Sequence, residues 1–274
     1  MPGVTKASLW ALLRAPIIWL LIVFLGVGTT YIANTPPFET PDEYGHYAYV
    51  RYLAEERRLP PLIISDHEWI QGQMHQPPLY YALGAALVGM LDTPEWQTAY
   101  PRNPLARLGD PETPVHKNAV LHPGVPTAAT TRTATALRLL RGFSLLLSAV
   151  TVWLTYRLAL LIVPDNLWFA SGAAAVVAFN PQFLFIGASV NNDVLVTALP
   201  AAVLYLSTHV AREGDPSWRT PLAIGLLVGL AALAKLSGIA TLVLPASAYL
   251  LYLLHQRTRD WWRGLVRPLL LTRA

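Results

Sequence analysis

The sequence predicts an all-α, polytopic membrane protein with about six transmembrane helices. Hydrophobic residues make up 54% of the 274-residue chain, charged residues only 13%, and the mean hydropathy is +0.39. Soluble globular domains carry roughly a quarter charged residues, so this composition indicates a bilayer environment. Several uncharged runs are also close to or above the roughly 20 residues that cross a hydrocarbon core of about 30 Å. These runs are 15–38, 166–192, 194–211 and 236–256.

The remaining composition excludes several classes of protein. The chain has no cysteine, which excludes disulfides, thiolate zinc sites and cysteine nucleophiles. Its net charge is +4, and the basic residues cluster at helix ends, where they orient a membrane protein rather than form a nucleic-acid surface. The first apolar run is longer than a signal-peptide core of about 7–15 residues, and residues 31–34 offer a poor small-residue cleavage site, so we interpret the run as an uncleaved anchor.

We expect six spans, and the charges between them predict the orientation. Basic residues precede the first span, separate the fourth from the fifth, and follow the sixth. With six spans all three groups fall on one side, which the positive-inside rule assigns to the cytoplasm together with the N-terminus. The predicted spans are about 15–34, 139–163, 167–187, 194–211, 221–235 and 238–255, and the basic residues are Lys6, Arg14, Arg212, Arg219, Arg257, Arg259, Arg263 and Arg267.

This orientation makes residues 35–137 an extracytoplasmic loop. Thr40 and Glu43 form a capping-box pattern with Pro41 at the first helical position, which predicts a helix of about 41–58 on the membrane surface. A second helix is expected over about 77–91, too short to span the bilayer and therefore interfacial or re-entrant.

The rest of the chain shows no further domain. Residues 92–137 are rich in proline and predict a loop that acts as a lid. Residues 1–274 are expected to be one transmembrane domain. The last apolar stretch is only a few residues long, so we expect the chain to be the N-terminal part of a longer module.

Two acidic residues directly after the first span are the strongest candidates for catalysis. Asp42 lies four residues before His46, so both share one helix face, and a carboxylate there could act as a general base toward a hydroxyl group. The simpler interpretation is that Glu43 is a capping-box partner and Asp42 a first-turn acid favoured by the helix dipole. Spacing alone leaves both interpretations open.

Further candidates for substrate binding lie at the predicted outer surface. His75 precedes a helix N-terminus, where it could bind phosphate or simply be an interfacial side chain. Asn192 and Asp193 interrupt two apolar runs, as a functional site or as a helix cap. A charge at Lys235, between two apolar runs, costs free energy unless the side chain extends to the membrane interface or binds an anion such as phosphate. Arg138 could also bind phosphate, or it could be an interfacial anchor.

Several short motifs occur in order along the chain. They follow the first span, open the second helix of the outer loop, begin the second span, and form the third-to-fourth and fifth-to-sixth connections. The motifs are Pro41-Asp42-Glu43, His75-Gln76-Pro77-Pro78-Leu79, Arg138-x-x-Arg141-x-Phe143, Asn180-Pro181-x-Phe183 through Asp193, and Gly229 through Gly238. Taken in this order, they resemble GT-C fold glycosyltransferases, and in particular the protein O-mannosyltransferase and lipid A aminoarabinose transferase group.

The resemblance implies a function and roles for the candidates. It implies sugar transfer from a polyprenyl-phosphate-linked donor to an acceptor on the extracytoplasmic face. Asp42 would be the catalytic base, supported by Glu43; Asp193 would shape a substrate pocket, and Lys235 would contact the donor phosphate. The sequence demands no cofactor or metal, although His75 with Asp42 or Glu43 could hold one. It identifies neither the sugar nor the acceptor, which could be a glycan, lipid or protein.

Two other functions remain open. The chain could be a transporter or flippase-like subunit, although the predicted spans carry few charges from which to build a polar pathway. It could also be an inactive, truncated membrane scaffold in which Asp42 serves only as a helix cap. Replacing Asp42 by asparagine separates these functions, because asparagine keeps the cap and removes the base.

Overall fold

The structure, a computed structural model, describes residues 15–61, 72–107, 112, 115, 117–214 and 217–256. Within them the regular secondary structure is helical, apart from one isolated bridge between Arg102 and Val120. This confirms the predicted fold class. The helices are α1 Pro16–Asn34, α2 Glu43–Glu56, α3 Leu79–Val88, α4 Trp96–Ala99, α5 Ala128–Ile162, α6 Leu167–Ala178, α7 Pro181–Gly187, α8 Asp193–Glu213, α9 Arg219–Ala234, and α10 243–256 after a 3-10 turn at Leu236–Leu242.

Four helical segments in the described part of the chain are long and apolar enough to cross a bilayer, or five if α6 and α7 form one bent span. The four are α1, α5, α8 and Leu236–Gln256. The apolar helix α9 has 16 residues and reaches only about 24 Å, less than a core of about 30 Å. The count of six therefore stays a prediction. The basic residues that orient the chain before residue 15 and after residue 256 lie outside the described residues.

The third predicted span, 167–187, is not continuous. Helices α6 and α7 meet at an angle of 65°. Asn180 causes the break, because its side-chain oxygen accepts hydrogen bonds from the backbone N–H groups of Gln182 and Phe183 at 3.0 and 3.1 Å and so starts a new helix. Pro181 follows at the first helical position, where it needs no N–H partner.

The second predicted span begins earlier than expected. Helix α5 has 35 residues and is about 52 Å long, well beyond the thickness of a hydrocarbon core. It starts at a capping box in which Thr127 and Thr130 bond each other's backbone N–H groups at 3.2 and 2.7 Å. One end of α5 therefore extends beyond the bilayer core.

The described helices form three apolar clusters, two of them built around α5 and a third between α8, α9 and α10. Helices α1, α6 and α7 share one apolar core with α5, built from residues such as Phe24, Val152 and Ala174. Helices α2, α3 and α4 form a layer over one end of α5 and α8, with Tyr47 and Tyr80 fully buried in it. The helices predicted at 41–58 and 77–91 are thus present, each slightly shorter than expected.

Aromatic rings hold the segment between α1 and α2 in place. The ring centroid of Phe38 lies 5.3 Å from those of Tyr47 and Tyr100 and 5.7 Å from that of Trp96. Tilted and edge-on pairs at these distances are favourable beyond simple burial. The segment that carries Asp42 therefore lies on a packed base formed by α2, α4 and the loop after α4.

Candidate active site

Asp42 lies at the N-terminus of α2 with a solvent-exposed side chain. Its backbone is left-handed, with φ of 56°, and its carboxylate caps no N–H of the helix. The predicted capping box is therefore wrong. Asp42 rather than Thr40 takes the cap position, and the Glu43 carboxylate is held elsewhere. The hydroxyl of Thr40 is buried without a hydrogen-bond partner in the described part of the chain.

The side chain of Asp42 lines a cavity of about 730 Å³. Small-molecule sites commonly occupy roughly 300–1,000 Å³, so the space is sufficient for a sugar-sized group. The other walls come from the segment before α2, the first turn of α2, and the loop after α4. Residues that line it include Glu39, Tyr44, Gln73, Arg102, Asn103 and Val120.

Glu43, next to Asp42, is completely buried and forms four hydrogen bonds. Its carboxylate accepts two from Arg141 on α5, at 2.8 and 2.6 Å, in a bidentate ion pair. It also accepts from the backbone N–H groups of Phe38 at 3.0 Å and Val190 at 3.1 Å. A bidentate arginine–carboxylate pair is both strong and geometrically specific. Glu43 therefore joins the start of α2 to α5 and to the turn before α8.

The other guanidinium N–H groups of Arg141 donate hydrogen bonds to backbone carbonyls at the end of α1. These donors bond the carbonyls of Thr35 and Pro36 at 2.7 and 3.0 Å, with a longer contact to Ile32 at 3.4 Å. Only 1% of Arg141 is exposed. A buried charge is tolerated when it is paired and hydrogen-bonded in this way. Glu43 and Arg141 therefore hold in place the chain segments on both sides of Asp42.

The loop after α4 closes one side of the cavity through Glu39. The Glu39 carboxylate accepts hydrogen bonds from the N–H groups of Ala119 and Val120 at 2.9 and 3.4 Å and lies 2.7 Å from the His122 ring. Arg102, in the opposite segment of this loop, lies 4.8 Å from the ring centroid of Tyr44. The proline-rich segment predicted as a lid thus forms a wall of the cavity.

His46 is buried one turn after Asp42 and pairs with Tyr81 of α3. The ring Nδ1 of His46 lies 2.9 Å from the Tyr81 hydroxyl, and the two rings are stacked. Burial lowers the pKa of His46 to about 4; Asp193 opposes this shift and Lys235 adds to it. The imidazole is therefore neutral near pH 7 and acts as a hydrogen-bond partner rather than a cation.

Tyr81 lies within electrostatic range of both Asp42 and Asp193. Burial raises the pKa of its phenol, and the carboxylates of Asp193 and Asp42 raise that pKa further. Both carboxylates are therefore close enough to influence one hydroxyl group. The shared surroundings of Tyr81 connect the start of α2 with the start of α8.

Asp193 and Lys235 form an ion pair where the turn before α8 meets the end of α9. Lys235 Nζ lies 2.5 Å from Asp193 Oδ1; the Lys235 side chain is 31% exposed and the Asp193 side chain 52%. The buried Asn192 braces this junction, because its side-chain amide donates to the Ala234 carbonyl at 3.0 Å and to Gln76 Oε1 at 3.2 Å. The predicted residues 192, 193 and 235 are thus brought together.

The other two predicted residues lie at the periphery. His75 is exposed, and its Nε2 lies 3.1 Å from the Gln76 side-chain nitrogen. Arg138 is exposed on α5; its charge partly offsets the burial that raises the pKa of Tyr100. Neither lines the Asp42 cavity. No group of three metal-ligating side chains is present in the described residues.

Sequence reasoning missed some residues that form this site. In the sequence, Arg141 was placed only within a motif, yet it is the buried partner of Glu43. A signal was present, because an arginine within the apolar run 139–163 indicates an internal partner. Glu39, Tyr81 and Arg102 gave no comparable signal, since their roles depend on contacts between segments far apart in the sequence.

A comparison with known protein families gives one match. A family model described as dolichyl-phosphate-mannose-protein mannosyltransferase matches residues 131–272, slightly more than half of the chain. The match includes Arg141, Asp193 and Lys235 and begins after Asp42. No curated protein and no solved structure gives a significant match.

Proposed function

The chain belongs to the dolichyl-phosphate-mannose-protein mannosyltransferase family, and from this premise we propose that Asp42 is the general base of a sugar transfer on the extracytoplasmic face. The protein is a multi-pass membrane glycosyltransferase of the GT-C type, a class that uses polyprenyl-phosphate-linked sugar donors. The family sets the donor class. The proposal concerns the base, the face of the membrane, and the residues that hold the substrates.

One observation carries the assignment of the base. Asp42 presents an exposed carboxylate to a cavity of about 730 Å³, while the next residue, Glu43, is completely buried in the Arg141 ion pair. Adjacent carboxylates in such different surroundings suit different tasks, because the exposed one can reach a substrate and the buried one cannot. Glu43 is therefore a positioning residue, which fits the supporting role the sequence suggested.

The proposed reaction is a single displacement. The Asp42 carboxylate takes the proton of an acceptor hydroxyl or amine as the acceptor atom forms a bond to the anomeric carbon. The bond from that carbon to the phosphate oxygen breaks, and polyprenyl phosphate leaves with the electron pair. The proton passes from Asp42 to solvent, and the anomeric configuration is inverted.

Lys235 is the cation proposed to meet the donor phosphate. It now pairs with Asp193, but it is 31% exposed and can turn toward an incoming anion. A cation beside the leaving phosphate stabilises the charge that develops there. Asp193 would hold Lys235 in place before the donor binds, and Asn192 would fix the junction between them. His46 is proposed to shape the floor of the site, and His75 and Arg138 its edge.

The test is replacement of Asp42 by asparagine in the full chain, reconstituted in proteoliposomes with a polyprenyl-phosphate-linked sugar. Asparagine tolerates the left-handed backbone at this position, so folding should be preserved. Because the base is lost, we expect transfer to fall by about 10²–10⁴-fold. Transfer is measured as radiolabelled sugar released from the donor lipid onto an acceptor.

Asp165 provides a matched control. It is also exposed and also left-handed, with φ of 62°, but lies at the other end of α5. Asp165→Asn should leave transfer unchanged. Undiminished transfer in Asp42→Asn would refute the proposed base. Uptake of a polar solute by the same vesicles, unaffected by Asp42→Asn, would instead favour a transporter.

A further inference from the structure

A cationic side chain, Arg157, is exposed on α5 at the end of the helix away from Asp42. The layer of α2, α3 and α4 covers the Arg141 end, and Arg157 lies about 24 Å farther along the helix axis. A hydrocarbon core is about 30 Å thick, so Arg157 lies close to the opposite membrane interface. The residues that line the Asp42 cavity include none from α5 among those described. This end of α5 is therefore a separate region of the molecule.

Tryptophan side chains mark the same end of the molecule as a membrane interface. Trp168 follows the end of α5 by a short turn, and Trp218 follows the end of α8 in the same way. They are 85% and 71% exposed. Exposed tryptophan in a membrane protein concentrates at the depth of the lipid head groups. The C-terminal ends of α5 and α8 therefore lie at head-group depth.

Aromatic rings hold the Arg157 side chain without neutralising it. Its guanidinium carbon lies 5.4 Å from the ring centroid of Trp153 and 5.5 Å from that of Tyr205, distances typical of cation–π contacts. In the described part of the chain its one hydrogen bond runs from Nη2 to the Tyr205 hydroxyl, at 3.0 Å. A guanidinium has five N–H donors. Arg157 therefore has a fixed orientation and several donors left for an anion.

A second cation lies along the same seam between α5 and α8. Arg212 follows Tyr205 by two helical turns, so the two residues share one face of α8. Arg212 Nη1 donates to the carbonyl of Ile162, the last residue of α5, at 2.9 Å. No carboxylate forms an ion pair with Arg157 or Arg212 within the residues that the structure describes. The seam is thus a basic site between two spanning helices.

Apolar side chains continue this site toward the middle of the membrane. Val150 and Leu146 precede Arg157 by about two and three turns, so they share its face of α5. They are 44% and 59% exposed. A phosphate at Arg157 would therefore place an attached acyl chain along these side chains. This arrangement fits a phospholipid better than a free phosphate ion.

We propose that the seam between α5 and α8 binds an anionic phospholipid, with its phosphate at Arg157 and Arg212 as the second cation. Charge complementarity selects this occupant, because a basic pocket between spanning helices at head-group depth attracts anionic head groups. Zwitterionic lipids carry a compensating positive charge and bind less strongly. The site requires neither the sugar donor nor the base, and it lies at the opposite end of α5 from both.

The test is native mass spectrometry of the full chain in detergent, titrated with phosphatidylglycerol or with phosphatidylcholine. We expect the first phosphatidylglycerol to bind more tightly than the first phosphatidylcholine. Arg157→Gln should weaken phosphatidylglycerol binding about fivefold, because one cation near a head group contributes about 1 kcal/mol. It should leave phosphatidylcholine binding unchanged. Arg212→Gln should weaken binding in the same direction and is a second variant should the first fold poorly.

Arg132→Gln is the matched control, because Arg132 is also exposed on α5 but lies near its other end. It should leave the first binding step unchanged. Equal affinity for the two lipids, or equal weakening by Arg132→Gln and Arg157→Gln, would overturn the proposal. Displacement by an equal concentration of glycerol 3-phosphate, which has no acyl chains, would overturn it in favour of a simple phosphate site. Because no sugar is transferred in this assay, its outcome is independent of the result for Asp42→Asn.

Discussion

At the scale of single residues, the buried pair of Glu43 and Arg141 sets the position of Asp42. The pair connects the end of α1, the start of α2, helix α5 and the turn before α8 through hydrogen bonds of 2.6–3.1 Å. Asp42 itself makes no side-chain bond to the helix it starts. The Asp42 carboxylate, which we propose as the general base, is therefore left available, and Glu43 provides the rigidity that such a base requires.

Replacing Glu43 by glutamine should destabilise the protein strongly. Glutamine keeps the size of the side chain but leaves the Arg141 charge buried and unpaired, which costs about 3–5 kcal/mol in comparable pairs. Unfolding in detergent, followed by tryptophan fluorescence, measures the loss. Transfer should also fall, because the segment that carries Asp42 loses its anchor.

The comparison variant is Glu56→Gln. Glu56, the last residue of α2, pairs with Arg58 at 3.3 Å, and the Glu56 and Arg58 side chains are 48% and 70% exposed. Exposed pairs contribute only about 0–1 kcal/mol, so the loss should be small. Equal destabilisation by the two variants would contradict the structural role assigned to Glu43.

At the scale of elements, the site depends on how closely α3 approaches α2 and α5. Gly84 makes the approach possible. A Cβ atom there would lie 3.0 Å from a methyl group of Val50 on α2 and 3.1 Å from one of Leu140 on α5. The same helix supplies Tyr80, which bonds Ser144 of α5 at 2.8 Å, and Tyr81, the partner of His46.

Gly84→Leu should force α3 away from its neighbours. Overpacking of this kind costs about 1–3 kcal/mol, and the displaced Tyr81 would lose its contact with His46. We expect a lower unfolding temperature together with reduced transfer. Gly142→Leu is the control, because nothing lies within 4 Å of a Cβ at that position. Similar losses in both variants would show that α3 does not depend on this close contact.

At the scale of the whole molecule, the proposal requires Asp42 and Asp193 to face the same side of the membrane. The chain has no cysteine, so single-cysteine variants can be labelled without background. In Asp42→Cys and Asp193→Cys, a membrane-impermeant maleimide should react in intact cells. In Asp165→Cys, at the other end of α5, it should react only after permeabilisation. Labelling of positions 42 and 193 from opposite sides would refute a shared site.

The sequence by itself predicted the fold class, nearly every helix and the segment that carries the candidate base. These depend on local properties, namely the length of apolar runs, helix-start residues and the clustering of charge. It also placed residues 192, 193 and 235 at one surface, because turns between apolar helices must lie there. The capping box predicted between Thr40 and Glu43 is wrong, because the same residue pattern permits more than one partner for Glu43.

Only the tertiary structure decided how the two acids differ and where the third predicted span breaks. Glu43 is buried because Arg141, 98 residues away, reaches it, and Asp42 is exposed because a left-handed backbone turns it toward the cavity. The sequence contains Asn180 and Pro181, but it does not show that they bend the third predicted span and leave a groove beside α8. Such features arise from contacts between distant segments, and no local pattern encodes which segments will meet.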